Sequence, residues 1–230
     1  MINSLYECFQ HWSEEGTVWL YSDPHFSDKD LPDWPSDEEQ IKMINSKVGR
    51  KDTLIILGDI GNLECIPKLR GYKVLIAGNH DTGLQKYQRQ RFKRFFSMKE
   101  ITEKEVLVEM ASEFKNCKYE VWERYEFYSP FEFWTGVADN CLFDEIYAGP
   151  LMISKKIILS HEPVDVEWAF NIHGHNHNKK YNDSHHLNCC SNIINFTPIS
   201  LNKVINSGMT SDVKTIHELA REKTKQSLVF

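Results

Sequence analysis

Three short apolar runs, each stopping abruptly at ionisable or turn-forming residues, constrain this chain more than any other feature. Thr17-Val18-Trp19-Leu20-Tyr21-Ser22 runs into Asp23-Pro24-His25, Thr53-Leu54-Ile55-Ile56-Leu57 into Gly58-Asp59-Ile60-Gly61, and Lys73-Val74-Leu75-Ile76-Ala77 into Gly78-Asn79-His80-Asp81. Runs of this kind suit strands covered on both faces. Between the first two, Ser36-Asp37-Glu38-Glu39 has the form of a capping box and opens a helix with Ile41, Ile44 and Val48 on one face. A short helix at about Leu63 to Leu69 is expected before the third. Strands joined by such right-handed crossovers lie parallel and bring their carboxyl ends to one edge. Asp23, Asp59 and Asn79 therefore share the edge at which open α/β sheets place ligands. Any one of these loops alone reads as an ordinary turn. Their recurrence favours a site.

The second half repeats the pattern. Glu145–Ile153 and Lys156–Leu159 read as strands, the latter ending in Ser160-His161-Glu162-Pro163, and Ala169–Ile172 runs into His173-Gly174-His175-Asn176-His177. His186–Cys190 reads as a strand, Pro198–Ile205 as a turn and helix, and Asp212–Lys225 as a C-terminal helix. Between the halves, Leu84 to about Phe114 is helical in pattern, and Lys86, Arg89, Arg91 and Arg94 follow directly on the His80 loop, where they would draw in an anionic substrate. Surface helices packing by one face explain the same pattern. Lys118–Tyr147 is dense in aromatic residues, for which packing, a lid or base-stacking platform around Pro130–Trp134, and a partner surface are rival readings. The fold class is α/β in the α+β sense, a single domain over residues 1–230 with a helical and aromatic insert at about 84–143.

Composition narrows the class. With 41% hydrophobic and 26% charged residues the chain has the make-up of a folded globular protein, which excludes disorder. A formal charge of −6 weighs against a general nucleic-acid binder. No apolar stretch approaches membrane-spanning length. The first sixteen residues hold Glu7, Glu14 and Glu15 but no lysine or arginine, so they do not read as a secretory signal. A cytoplasmic location is expected. Cys8, Cys65, Cys117, Cys141, Cys189 and Cys190 follow no zinc spacing and are read as reduced, buried small hydrophobes. His11, His185, His186 and His217 are read as ordinary surface or core histidines.

Asp23, His25, Asp59, Asn79, His161, His175 and His177, with His80 beside them, form a set of oxygen and imidazole donors without thiolate. Such a set suits manganese first, with iron, zinc, nickel or cobalt as alternatives. Seven ligands exceed the needs of one ion. Two ions sharing a carboxylate, about 3.5–4 Å apart as in two-metal hydrolytic sites, would use them all.

In order along the chain, Asp23-x-His25, Gly58-Asp59-x-Gly61, Gly78-Asn79-His80-Asp81, His161 and Gly174-His175-x-His177 resemble the signature of the calcineurin-like metallophosphoesterase family, over roughly residues 17–83 and 144–192. The resemblance implies a four-layer fold, two mixed β-sheets sandwiched between helices. It implies that Asp23, His25 and His177 hold one ion, that Asn79, His161 and His175 hold the other, and that Asp59 bridges them. The implied activity is hydrolysis of phosphate esters, mono- or diesters: a metal-bridging hydroxide attacks phosphorus in line, and His80 protonates the leaving oxygen as general acid. Asn62-Leu63-Glu64 stands where protein Ser/Thr phosphatases carry Asp-Arg-Gly, which disfavours that branch and leaves Asn62 as a hydrogen-bond partner for His80. His80 stands where the lipid-A-pathway pyrophosphatases usually have Arg. What remains is a small bacterial- or phage-type phosphoesterase acting on a small, nucleotide-like phosphate ester. A nuclease and a non-catalytic metal-binding scaffold are the alternatives.

Overall fold

Side-chain alternation along the second apolar run divides the core in two. Leu54 and Ile56 of β2 (Thr53–Ile56) face one cluster, and Ile55 and the following Leu57 face the other. A computed structural model describes residues 1–89, 141–177 and 183–227 of the chain. Met1–Gln88 and Asn140–Phe230 form one compact unit, and Arg89–Asp139 separates from it. The expected helix beyond Gln88, most of the aromatic segment, Arg91, Arg94 and Cys117 lie outside the described residues.

The first unit holds two mixed sheets. β1 (Val18–Tyr21), β2, β3 (Tyr72–Ile76) and β4 (Glu145–Tyr147) run parallel, and β9 (Ile199–Ser200) pairs antiparallel with β1, giving the order β4-β3-β2-β1-β9. In the second sheet β5 (Leu151–Met152) is antiparallel to β6 (Ile157–Leu159), while β6, β7 (Phe170–His173) and β8 (His186–Asn188) are parallel.

Leu20, Ile55, Val74 and Ile76 of the first sheet pack with Leu159, Phe170, Ile172 and Leu187 of the second, so the larger cluster fills the space between sheets. The smaller one lies under α1 (Asp37–Asn45), where Ile41 and Ile44 meet Leu54, Ile56, Leu75, Ile66 and Phe143. Ser36 and Glu39 form the reciprocal capping box that starts α1, as the sequence signature requires.

Several expected elements differ. Glu145–Ile153 is two strands in two sheets, because Ala148-Gly149-Pro150 turns the chain between them. Leu63–Lys68 is a 3-10 helix with Pro67 inside it, where proline has no N–H for an α-helical bond. Leu84–Tyr87 is a single 3-10 turn, since Gln88 turns extended to bridge Phe143. Ile199–Ser200 is an edge strand, and the helix after it is α2 (Leu201–Asn206). α3 (Ile216–Ser227) begins later than expected: Val213 is buried as an anchor, and Thr215 and Glu218 exchange the bonds that cap the helix start. Cys8 is exposed, whereas Cys65, Cys189 and Cys190 are buried. No helix among the described residues is long and apolar enough to cross a membrane.

Candidate metal centre

The pairing of β1 with β2 does not stop where the strands do. The N–H groups of Asp23, His25 and Phe26 donate to the carbonyls of Gly58, Asp59 and Ile60 at 3.0, 3.1 and 2.9 Å, so two ligand-bearing loops are zipped together. Backbone strain accompanies this. Asp23, His25, Asp59 and His175 have φ of 52°, 44°, 51° and 68°, the left-handed region that residues other than glycine seldom occupy and that collects at functional sites. The second sheet joins at the same edge: the Gly174 N–H donates to the His161 carbonyl at 2.8 Å, and the Ser191 N–H to that of Ser22 at 2.9 Å.

Two glycines permit the closeness. A Cβ on Gly78 would stand 2.3 Å from Asp59 Oδ1, and one on Gly174 would stand 2.2 Å from Asp23 Oδ2.

Two groups of side chains result. Asp23, His25 and His177 form one and Asp59, His161 and His175 the other, the ligand atoms within each lying within 4.8 Å of one another. In the first, Asp23 Oδ1 is 3.3 Å from His177 Nε2 and 3.9 Å from His25 Nε2. In the second, His161 Nε2 lies 2.9 Å from Asn79 Oδ1, 3.1 Å from His175 Nδ1 and 3.3 Å from Asp59 Oδ2. All seven expected ligands therefore converge. His80 stands at their rim, exposed, its backbone N–H donating to Asp59 Oδ1 at 3.1 Å and its ring 6.2 Å from that of His25.

The donor chemistry fits metal ions. One imidazole proton on His161 Nε2 would serve only one of its three neighbours, whereas a cation serves them all. The Leu57 carbonyl accepts from His161 Nδ1 at 2.8 Å, which leaves the Nε2 lone pair of the neutral ring directed at the group. Asp23 Oδ1 and His25 Nε2 are buried without hydrogen-bond partners, a costly arrangement that a bound cation removes.

Electrostatics within the two groups report the same crowding. Burial opposes protonation of His161, but the Asp59 bond and the Asp23 and Asp59 charges together outweigh it and raise its proton affinity. Burial also opposes ionisation of Asp59, yet His161 and His80 jointly hold its carboxyl below the usual range. For His177 burial prevails over the attraction of Asp23 and lowers its proton affinity.

Residues the sequence reading did not single out complete the frame. Asp23 Oδ2 accepts from Ser22 Oγ at 2.5 Å, from the His175 N–H at 2.9 Å and from Cys190 Sγ at 3.2 Å, which leaves Oδ1 for the site. Burial, then the Asp23 charge, push the Cys190 thiol up, so it stays a donor. Asp81 collects the N–H groups of Asp59 and Gly78 on Oδ2, at 2.7 and 2.9 Å, and that of Ile60 on Oδ1 at 3.1 Å. Its place beside Asn79 and His80 was the available signal, since strand ends that present bare N–H groups require an acceptor. Asn62, by contrast, is turned away from the role expected of it: its amide donates to Ser27 and its oxygen accepts from the Glu64 N–H.

No family model matches the chain, and no curated protein matches it. Among solved structures it is similar to AQ665, a protein of unknown function from Aquifex aeolicus, at 20% identity and a TM-score of 0.48, covering 83% of this chain and 98% of that one.

Proposed function

We propose that this chain is a di-metal-dependent hydrolase of phosphate esters of the calcineurin-like type, and we read its two mixed sheets with their helices as the core of that family's four-layer fold. The observation that carries the reading is the position of Asp59. Its Oδ2 lies 3.3 Å from His161 Nε2 and 3.8 Å from His25 Nε2, so one carboxylate faces both ligand groups.

Asp23, His25 and His177 would hold one ion, and Asn79, His161 and His175 the other, with Asp59 shared. Divalent ions held there, manganese first, would supply Lewis acidity and a nucleophile at neutral pH. Asp23 and Asp59 bring only two negative charges against four positive ones, so the loaded centre attracts phosphate despite the chain's net charge of −6. The Ser22, Cys190 and His175 donors hold Asp23 with one oxygen forward. Asp81 holds the Asp59 and Gly78 loops in register. His80, exposed beside His25, would bind the phosphate and give its imidazole proton to the leaving oxygen as general acid.

Metal content and hydrolysis of bis-p-nitrophenyl phosphate and p-nitrophenyl phosphate, measured with added manganese, test this. The wild type should hold two ions and release p-nitrophenolate. Asp59→Asn should lose at least about a hundredfold, since even outer-shell partners of metal ligands are worth about 10–100-fold. Two bound ions with no hydrolysis would instead mark a scaffold, and manganese-dependent cleavage of single-stranded DNA a nuclease.

A further inference from the structure

The first ligand group has an aromatic wall. Trp34, in the loop before α1, lies with its ring 5.9 Å from that of His25 and 5.4 Å from that of His177, and Phe196 meets Trp34 edge-on at 5.3 Å. Phe196 and its neighbour Asn195 both have φ of 52°. A bulky residue is held in that conformation only where its surroundings over-determine it. The contact with Trp34 is part of the surroundings that hold Phe196 so.

Trp34 also lines a second feature, a cleft of about 630 Å³ between its loop and α1, which it shares with Asp33, Pro35, Glu39, Lys42, Met43 and Ser46. The indole is thus the common wall of the candidate metal centre and a cleft whose volume lies within the range of small-molecule sites, about 300–1,000 Å³. Phosphate needs none of this volume. The lining combines a flat aromatic ring, a thioether and a proline with an ammonium, two carboxylates and a hydroxyl at the edges. That combination suits a flat ring with polar edges better than an alkyl chain: the π-face stacks, and the exocyclic groups meet Lys42 and Asp33.

We infer that Trp34 is a specificity-determining residue and that the cleft takes the nucleoside portion of a phosphate diester whose phosphorus sits at the metal centre. This rests on the phosphoesterase reading for the chemistry but not for the binding. The natural substrate class is then nucleoside phosphodiesters.

Two diesters that release the same p-nitrophenolate test it on the manganese-loaded full chain: thymidine p-nitrophenyl phosphate and methyl p-nitrophenyl phosphate. The wild type should prefer the nucleoside ester in kcat/KM by about tenfold or more, the scale of one base stacked on one aromatic ring. Trp34→Ala should erase most of that ratio through KM, and Trp34→Phe should keep most of it. Met43→Glu, on α1, should lower the ratio as well and serves if Trp34→Ala does not fold. A wild type without preference, or equal losses on both esters, would overturn the inference and leave Trp34 as packing for His25 and His177. If the wild type hydrolyses neither ester, the phosphoesterase reading fails, and calorimetry then decides the cleft separately. The phosphonate analogue of thymidine monophosphate, with carbon in place of the ester oxygen, should bind the wild type about tenfold more tightly than Trp34→Ala. No binding to the wild type at millimolar concentration would overturn the proposal.

Discussion

An edge strand and an inner strand of the first sheet treat a carboxylate in opposite ways. On the edge strand β4, Glu145, level with Val74 of β3, accepts on Oε1 from His11 and the Tyr72 hydroxyl, and on Oε2 from Trp12 Nε1 and the Tyr147 hydroxyl. Four donors saturate it, and they tie the 3-10 helix Glu7–Ser13 to β3 and β4. Past the carboxyl end of the inner strand β1, Asp23 is fully buried, yet three donors crowd onto Oδ2 while Oδ1 has none. A saturated carboxylate holds structure together. A buried one left half-saturated raises the energy of the empty site and lowers it again when a cation arrives.

The largest effect expected from this contrast is at Asp23. In Asp23→Asn the amide oxygen can take over the three donors while the charge disappears, so the metal-free protein should melt at the same temperature or higher. The manganese response should vanish, where the wild type gains about 2.7 kcal/mol at a hundredfold excess of ion over its Kd. Thermal melts with and without manganese read both, and a destabilised variant that kept its manganese response would break the comparison.

Next comes Asp81→Asn, which replaces one of two acceptor oxygens with a donor facing backbone N–H groups. Manganese affinity, measured by calorimetric titration, should fall about 10–100-fold, the usual scale for outer-shell partners of metal ligands. Unchanged affinity would remove Asp81 from the frame.

The smallest effect belongs to Glu145→Gln, which should cost a few degrees of melting temperature and no activity. Its signature is in the pH dependence. Burial pushes the Glu145 carboxyl up, but the Tyr147, His11 and Tyr72 bonds outweigh it and hold it below the usual glutamate range. A depressed value contributes stability above the unfolded pKa of about 4.3, and loses it as pH falls through the folded value. The gap in stability between wild type and variant should therefore be full above the unfolded value and close as pH falls through the lower, folded one. A gap independent of pH would mean that Glu145 acts through packing alone.

Much of the carboxyl edge was legible because periodicity and punctuation act locally. Four-residue apolar stretches closed by Gly, Asp, Asn or His announce both a strand and what it delivers. The crossover rule then brings Asp23, Asp59 and Asn79 to one edge without any knowledge of packing. What sequence hid depends on contacts between segments distant in the chain. Cys190 reaches Asp23 across 167 positions, and its role exists only because β8 ends beside β1. Trp34 sits in a loop with no period to betray it. β9 is two residues long, too short for alternation to register, and the split between β4 and β5 was signalled by Gly149-Pro150 but masked by apolar residues on both sides.

The extended contact at the foot of the Arg89–Asp139 stretch has an evolutionary corollary. Gln88 bridges Phe143, and the Leu142 and Phe143 N–H groups both donate to the Tyr87 carbonyl, so the chain departs and returns at adjacent points beside β4. Once such a neck is fastened, doubling the length of chain above it costs only about 0.6 kcal/mol of closure entropy. The position is a grafting point: sequence can be lengthened, shortened or exchanged there while the strained loops that carry Asp23, His25 and Asp59 keep their register.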